Sequence, residues 1–365
     1  MGEYFDIVNF LKSAVVSGAS DEHLRVGYAP FIRKNGFIKK TNSTVLTKEM
    51  LDDIVVRIAP ASLKNSILSM KDVDFAYEIQ GSSRFRVNYS RLLGLPSLVI
   101  RNLSYKIPSI EELNLPPILQ NILKQHSGLV LVTGPTGSGK STTLASLINR
   151  ICVENSKHVI TIEDPVEYVF NSSRSIVSQR QIGVDTESFA DGIKYALRQD
   201  PDIILIGEIR DNITMEAALK ASETGHLVFS TLHTSDAVQT INRVINMFDE
   251  QSRNTIRKQL ADTLRATVAQ KLIYSEKKQE RYPACEVMVV TSTIRDYIIK
   301  NNTEEIYKLL GDTSVDNMFS LNKSLADLVV NNYISEKEAL ENSNDPGELE
   351  KIFRGVFQGT KSYYD

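Results

Sequence analysis

Along the chain the pattern of apolar and polar positions changes character twice. From residue 5 to about residue 104 it is mixed: FDIVNFLKSAVVSG and TKEMLDDIVVRIA place apolar residues at helical spacing, whereas VDFAYEIQ, FRVNYS and SLVIRNL have strand length and strand composition. A small α+β domain is predicted there. The segment KIPSIEELNLPP follows, and Pro108, Pro116 and Pro117 interrupt regular structure, which marks residues 108–117 as a hinge-like linker. From Ile118 short β-branched runs alternate with helical stretches: GLVLVTG, a helix from Lys140, HVITIED, a helix around SFADGIKYAL, DIILIGE, a helix around TMEAALKASE, then HLVFSTLH. Nearly continuous apolar strands suit a parallel sheet covered on both faces, so a doubly wound α/β core is expected. Beyond about Asn246 the spacing reads as helical, through IRKQLADTLRATVAQKLI, TIRDYIIK, LNKSLADLVV and EKEALEN. The expected domains are residues 1–107 and 118–365, joined by the linker.

Composition changes this picture little. A chain of 365 residues has room for two or three domains, and 42% hydrophobic with 24% charged residues is ordinary for a globular protein. The net charge of -3 offers no general attraction to nucleic acid, so no nucleic-acid partner is expected. Cys152 and Cys285 are too few for a disulfide framework or a four-cysteine zinc site, which suits a reducing cytosol. No window approaches the 18 apolar residues that a membrane span needs, and a cytoplasmic protein is expected.

Chemistry enters with GPTGSGKST, residues 134–142, directly after the apolar strand GLVLVT. This is the phosphate-loop pattern in its proper strand-to-helix context. The backbone of Thr136, Gly137, Ser138 and Gly139 can turn its N–H groups around phosphate oxygens of ATP, at the positive end of the following helix that begins with Lys140, Ser141 and Thr142. Lys140 reaches the β and γ phosphates, and the Ser141 hydroxyl is the expected Mg²⁺ ligand.

In an open α/β sheet ligands sit at the carboxyl ends of the strands, which sorts the acids. Asp202 opens DIILIG and Glu208 closes it, roughly 20 Å away in extended chain. Glu208 is therefore expected to hold Mg²⁺, directly or through water, or to orient the attacking water, and Asp202 to be a turn or strand-start residue. By the same rule Glu163 and Asp164 stand at the carboxyl end of HVITIE. Glu163 is the first choice for a general base and Glu208 its competitor. His226 opens the strand HLVFSTL and His233 lies just past its end, about 23 Å apart if extended, so a shared metal ion is not expected. His233 is expected on the carboxyl edge beside the loop; for His226 a supporting and a functional role stay equally open.

These residues resemble a known family, the secretion-superfamily hexameric ATPases of type II secretion and type IV pili, and within it the pilus retraction motors. ITIEDPVEY resembles its Asp box, LRQDPDIILIGEIRD its Walker B region and TGHLVFSTLHT its His box, in order. GASDEHLRVG, VDFAYE, SSRFRVN and LNKSLADLVVNNYISEKEAL extend the likeness to nearly the whole chain. The resemblance implies a small PAS-like α+β domain followed by a RecA-like P-loop ATPase domain with a helical C-terminal part. It implies a homohexamer that hydrolyses ATP with Mg²⁺, at the cytoplasmic face of the inner membrane, and powers pilus retraction (twitching motility) through an inner-membrane platform protein and the pilus machinery. Arg84, Arg86 and Arg101 match arginines that contact phosphate from a neighbouring subunit. A further family arginine is Leu93 here, with Arg91 nearby. The retraction motif AIRNLI appears as TIRDYI, residues 293–298, with Asp296 and Tyr297 as departures. Pilus assembly or type II secretion is the alternative, and a RecA-like nucleic-acid translocase a remote one.

Overall fold

Helix α1 (Ile7–Ser17) starts where Asp6 accepts the Asn9 N–H at 3.1 Å and stops at Gly18, whose φ of 80° ends the helical path. The computed structural model describes residues 4–34, 36–69, 72–103, 106–170, 174–311 and 318–355. Its described residues form two compact units, one drawn from Met1–Ile107, Ile162–Phe170 and Gln179–Gly192, the other from Pro108–Thr161, Asn171–Ser178 and Ile193–Asp365.

In the first unit α1 is followed by β1 (Asp21–Arg25), β2 (Phe31–Lys34), β3 (Phe37–Lys40), α2 (Lys48–Ile58), α3 (Lys64–Leu68), β4 (Val73–Ile79), β5 (Ser83–Leu92) and β6 (Leu95–Leu103). The strands make an antiparallel sheet in the order β3-β2-β1-β6-β5-β4. Alternation sets its faces. Phe85, Val87 and Tyr89 of β5 turn inward onto Leu11, Leu51 and Ile54, while Arg84, Arg86 and Asn88 take the other face. Glu22 breaks the pattern: it is fully buried, accepts an N–H of Asn102 at 2.9 Å, and leaves its second oxygen without a partner. Burial pushes its carboxyl up to about 7.

The second sheet is built from β7 (Gly128–Thr133), β8 (His158–Glu163), β9 (Ile176–Gln181), β10 (Ile203–Ile206), β11 (Leu227–Leu232), β12 (Leu264–Ser275) and β13 (Glu280–Val289). Its order is β13-β12-β7-β11-β10-β8-β9. The strands β12, β7, β11 and β10 run parallel, and β13 is antiparallel to β12. Every residue of β7, β10 and β11 is buried, as near-continuous apolar runs require. The intervening helices are α4 (Leu119–Ile122), α5 (Lys140–Glu154), α6 (Phe189–Ala196), α7 (Asn212–Glu223), α8 (Ala237–Asn246) and α9 (Arg253–Thr263). Then follow α10 (Ser292–Ile299), α11 (Glu304–Gly311), α12 (Leu321–Val330), α13 (Glu336–Asn342) and α14 (Pro346–Phe353).

Among the described residues the C-terminal part is helical from Ser292 onward, but IRKQLADTLRATVAQKLI is not one helix. Helix α9 ends at Thr263 and the rest is the 12-residue strand β12. Leu264, Val268 and Leu272 continue the four-residue spacing of Ile256 and Leu260 in α9, while Leu264, Ala266 and Val268 also alternate with Arg265 and Thr267, so the stretch fits a helix or a strand and pairing with β7 decides it. In α10, Ile294 and Ile298 are fully buried and Arg295 pairs with Asp262, so the departure Asp296 lies on the exposed side, 3.8 Å from Lys300. Neither cysteine is in a disulfide and both are buried, and burial raises their thiols to about 11 for Cys152 and about 12 for Cys285. Among the described residues no helix is long and apolar enough to cross a membrane.

Candidate functional site

Strand β7 ends at Thr133 and α5 begins at Lys140, so the loop between them lies on the carboxyl edge of the sheet. Pro135, Thr136 and Gly137 are exposed at its tip, whereas Ser138 and Lys140 are buried. The Lys140 ammonium donates to the carbonyls of Gly134 at 2.8 Å and Pro135 at 3.0 Å, which holds it against the loop's inner wall. Helices α2, α7 and α8 have their first N–H groups capped by Thr47, Asp211 and Asp236. Helix α5 differs. Its N-cap is Gly139, at φ 87°, which has no side chain to offer. The positive helix end thus faces the loop without an internal counter-charge, the arrangement that takes an anion.

A Cβ at Gly134 would stand 2.3 Å from the Gln270 carbonyl oxygen, and one at Gly139 2.9 Å from the Gln270 amide nitrogen. Two of the loop's glycines are therefore demanded by close approach to β12 as well as by φ. The Ser138 hydroxyl is buried within this loop and has no partner there. Loop, lysine and helix end suit a polyphosphate. Among the described residues no group of three acidic, histidine or cysteine side chains could hold a metal ion unaided. That donor set, the exposed Ser141 hydroxyl and Glu208, suits Mg²⁺, which takes most of its ligands from phosphate and water.

Glu208 follows β10 by two residues, slightly beyond the strand it is expected to close, and His233 is the first residue after β11. Adjacent strands bring them together. The Ile209 N–H donates to the Thr231 carbonyl at 3.1 Å and the Thr231 hydroxyl to the Gly207 carbonyl at 2.8 Å, so the turn carrying Glu208 is tied to the strand carrying His233. His233 Nε2 lies 3.6 Å from one Glu208 oxygen, an ion-pair distance that counts when the imidazole is protonated. Arg210, which the sequence reading did not single out, lies 2.6 Å from the other oxygen. Glu163 ends β8, the third strand from β7, and its carboxylate accepts from the Gln179 amide at 3.3 Å. Asp164 beside it is exposed.

The opposite ends of the strands behave differently. Asp202 accepts from the Lys157 ammonium at 2.8 Å and the His158 N–H at 2.9 Å, and these bonds outweigh its burial and hold its pKa below the usual carboxylate value. It pins strand starts. His226 Nδ1 sits 3.0 Å from the Ala221 carbonyl and 3.1 Å from the Thr224 hydroxyl, at the end of α7. These contacts are structural.

In the first unit Arg86 and Arg101 stand directly opposite each other on β5 and β6. Each candidate arginine has an acidic neighbour: Arg84 with Glu78 at 3.0 Å, Arg86 with Asp74 at 3.5 Å and Arg101 with Asp21 at 2.9 Å. Arg84 also donates to the Val166 carbonyl at 3.1 Å. Leu93 is fully exposed at the β5–β6 turn with φ 53°, and Arg91 donates across that turn to the Gly94 carbonyl at 3.0 Å.

Comparison with known proteins gives this geometry its context. The chain is 36% identical over 341 residues to the type IV pilus retractation ATPase PilT of Pseudomonas aeruginosa, covering 93% of this chain and 99% of that one. It is 35% identical to the twitching motility protein of Neisseria gonorrhoeae, covering 92% of this chain and 90% of that one. The crystal structure of the pilus retraction motor PilT with bound ADP superposes with a TM-score of 0.88 at 38% identity, covering 95% of this chain and 99% of that one. The family described as Type II/IV secretion system protein matches residues 7–363, and with a likeness of that extent the chain belongs to that family.

Proposed function

We propose that this chain is the subunit of an ATP-hydrolysing motor that powers type IV pilus retraction. The observation that carries the reading is the α5 N-terminus capped by Gly139 alone, with Lys140 beside it, on the same sheet edge as Glu208 and His233. The likeness to PilT along nearly the whole chain supplies the mechanical output.

The loop backbone of residues 136–139 and the first turn of α5, Lys140 to Thr142, would hold the phosphates, with Lys140 exchanging the Gly134 and Pro135 carbonyls for phosphate oxygens. The Ser141 hydroxyl and, through water, Glu208 would hold Mg²⁺, which when bound neutralises developing phosphoryl charge. Glu208 and Glu163 are the two candidates to orient the attacking water, and His233 is the group that responds to the γ phosphate. Arg84, Arg86 and Arg101 would serve a neighbouring subunit of a homohexamer, trading their present carboxylates for phosphate. Nucleotide-driven rotation about residues 108–117 would then be passed to an inner-membrane platform protein at the cytoplasmic face, within the pilus machinery. The test is paired: phosphate release by the purified chain, and the piliation of a deletion strain. Phosphate release together with excess surface pili and lost twitching is the expected result. A strain without pili moves the reading to assembly.

A further inference from the structure

Gln270 is one residue beyond the last β12–β7 pair, Ala269 with Thr133, and so arrives at the phosphate loop from the strand beside it. It is 3% exposed, and both ends of its amide are used. Nε2 donates to the Ser138 carbonyl at 2.6 Å, and Oε1 accepts from the Thr143 hydroxyl at 2.8 Å. Thr143 is 1% exposed and lies on α5 three residues after Lys140. One side chain therefore joins the loop to the first turn of its helix across 127 and 132 residues of sequence. The backbone of the same residue closes on the loop too, as the blocked Cβ position at Gly134 shows, and its amide nitrogen blocks the one at Gly139. Without this clamp the loop carbonyl at Ser138 and the Thr143 hydroxyl would each be buried with a lost partner, a condition the loop can escape only by moving.

We propose that Gln270 is a positioning residue for nucleotide binding, fixing the phosphate loop on α5 in the shape that receives phosphate. It does not reach the phosphates itself. Its effect is on the loop before substrate arrives, so it acts on affinity and leaves the chemical step nearly untouched. This rests on the ATPase reading above.

The experiment is steady-state ATP hydrolysis, binding of a fluorescent ADP analogue and thermal melting for the wild type, Gln270→Leu, Gln270→Glu, Thr143→Val and the Gln270→Leu/Thr143→Val double variant. Gln270→Leu is expected to raise KM and the analogue's Kd about tenfold, with kcat changed less than about threefold. Gln270→Glu keeps the acceptor for Thr143 but loses the donor to Ser138, and should follow Gln270→Leu. Thr143→Val should raise KM about threefold. The double variant should be no worse than Gln270→Leu, because Thr143 then has no partner left to lose. Wild-type KM in a folded Gln270→Leu, a Gln270→Glu variant that behaves as wild type, or effects that multiply in the double variant each overturn the proposal. If Gln270→Leu does not fold, Thr143→Val with wild-type KM overturns it alone. A wild-type chain that neither binds the analogue nor releases phosphate refutes the ATPase reading instead, which separates the two failures.

Discussion

The two sheets spend their surfaces in opposite ways. In the second unit β7, β10 and β11 are buried on both faces, so no face is left for polar work and the chemistry-bearing side chains gather at the carboxyl edge. In the first unit one face is given to the core, and the other carries Arg84, Arg86 and Arg101 with their acidic partners in the plane of the sheet. A site on an edge depends on where strands end. A site on a face depends on alternation, and every second residue can join it without disturbing the core.

The sharpest test of that contrast lies within one strand. Phe85→Ala removes a fully buried ring from the first core and should cost about 3–5 kcal/mol in urea unfolding, whereas Arg86→Ala, one residue on and facing outward, should cost less than about 1 kcal/mol. Similar losses from both would show that the outer face is structural too. On the edge, Lys140→Ala should lower kcat/KM for ATP by about 10²–10³-fold, and circular dichroism should show an unchanged fold. Glu208→Gln should lower kcat by a comparable factor while a fluorescent ADP analogue still binds, and wild-type turnover would remove Glu208 from the chemistry.

Among the described residues each unit also buries one glutamate whose carboxyl is pushed up to about 7 by loss of water: Glu22 in the first, and Glu286 in the second, which accepts the Ala237 N–H at 2.8 Å at the start of α8. An unfolded glutamate releases its proton near 4.5, and these hold theirs to about 7. Between those values the folded chain binds more protons than the unfolded one, so the stability these groups allow is complete below 4.5 and is lost as pH rises to about 7. Glu22→Gln should therefore exceed the wild type in stability by about 1–3 kcal/mol at pH 8 and match it at pH 4, read from urea midpoints. The smallest expected effects are those of Arg86→Ala and Arg101→Ala. The Arg101 side chain is 63% exposed in its pair with Asp21, and its loss too should change stability by less than about 1 kcal/mol.

How legible each region was follows from the same contrast. The phosphate loop is contiguous, so its residues can be named from the chain alone, and the carboxyl-edge rule places Glu208 and His233 past the carboxyl ends of β10 and β11 and Asp202 and His226 before their starts, as in the fold. Strand β12 was hidden because Leu264, Val268 and Leu272 continue the helical spacing of α9 while Leu264, Ala266 and Val268 also alternate, so the stretch satisfies both periodicities. Gln270 carried no local signal, since its partners lie more than a hundred residues earlier in the chain. Nor did the residues around Glu163 announce that Ile162–Phe170 and Gln179–Gly192 belong with the first unit. The arginines were visible as types on strands, but their present partners, Glu78, Asp74 and Asp21, depend on cross-strand register that alternation alone does not set.

The two cysteines have a practical consequence for watching the protein work. With thiols raised to about 11 and about 12 inside the second unit, only about one molecule in 10⁴ carries a thiolate at Cys152 near neutral pH, and fewer at Cys285. Alkylating dyes react through the thiolate and need access to it. A cysteine installed on the outer face of the first sheet, beside an exposed arginine, would thus take a fluorophore in the otherwise native chain, and that face could be followed by distance-sensitive fluorescence without stripping out either natural thiol.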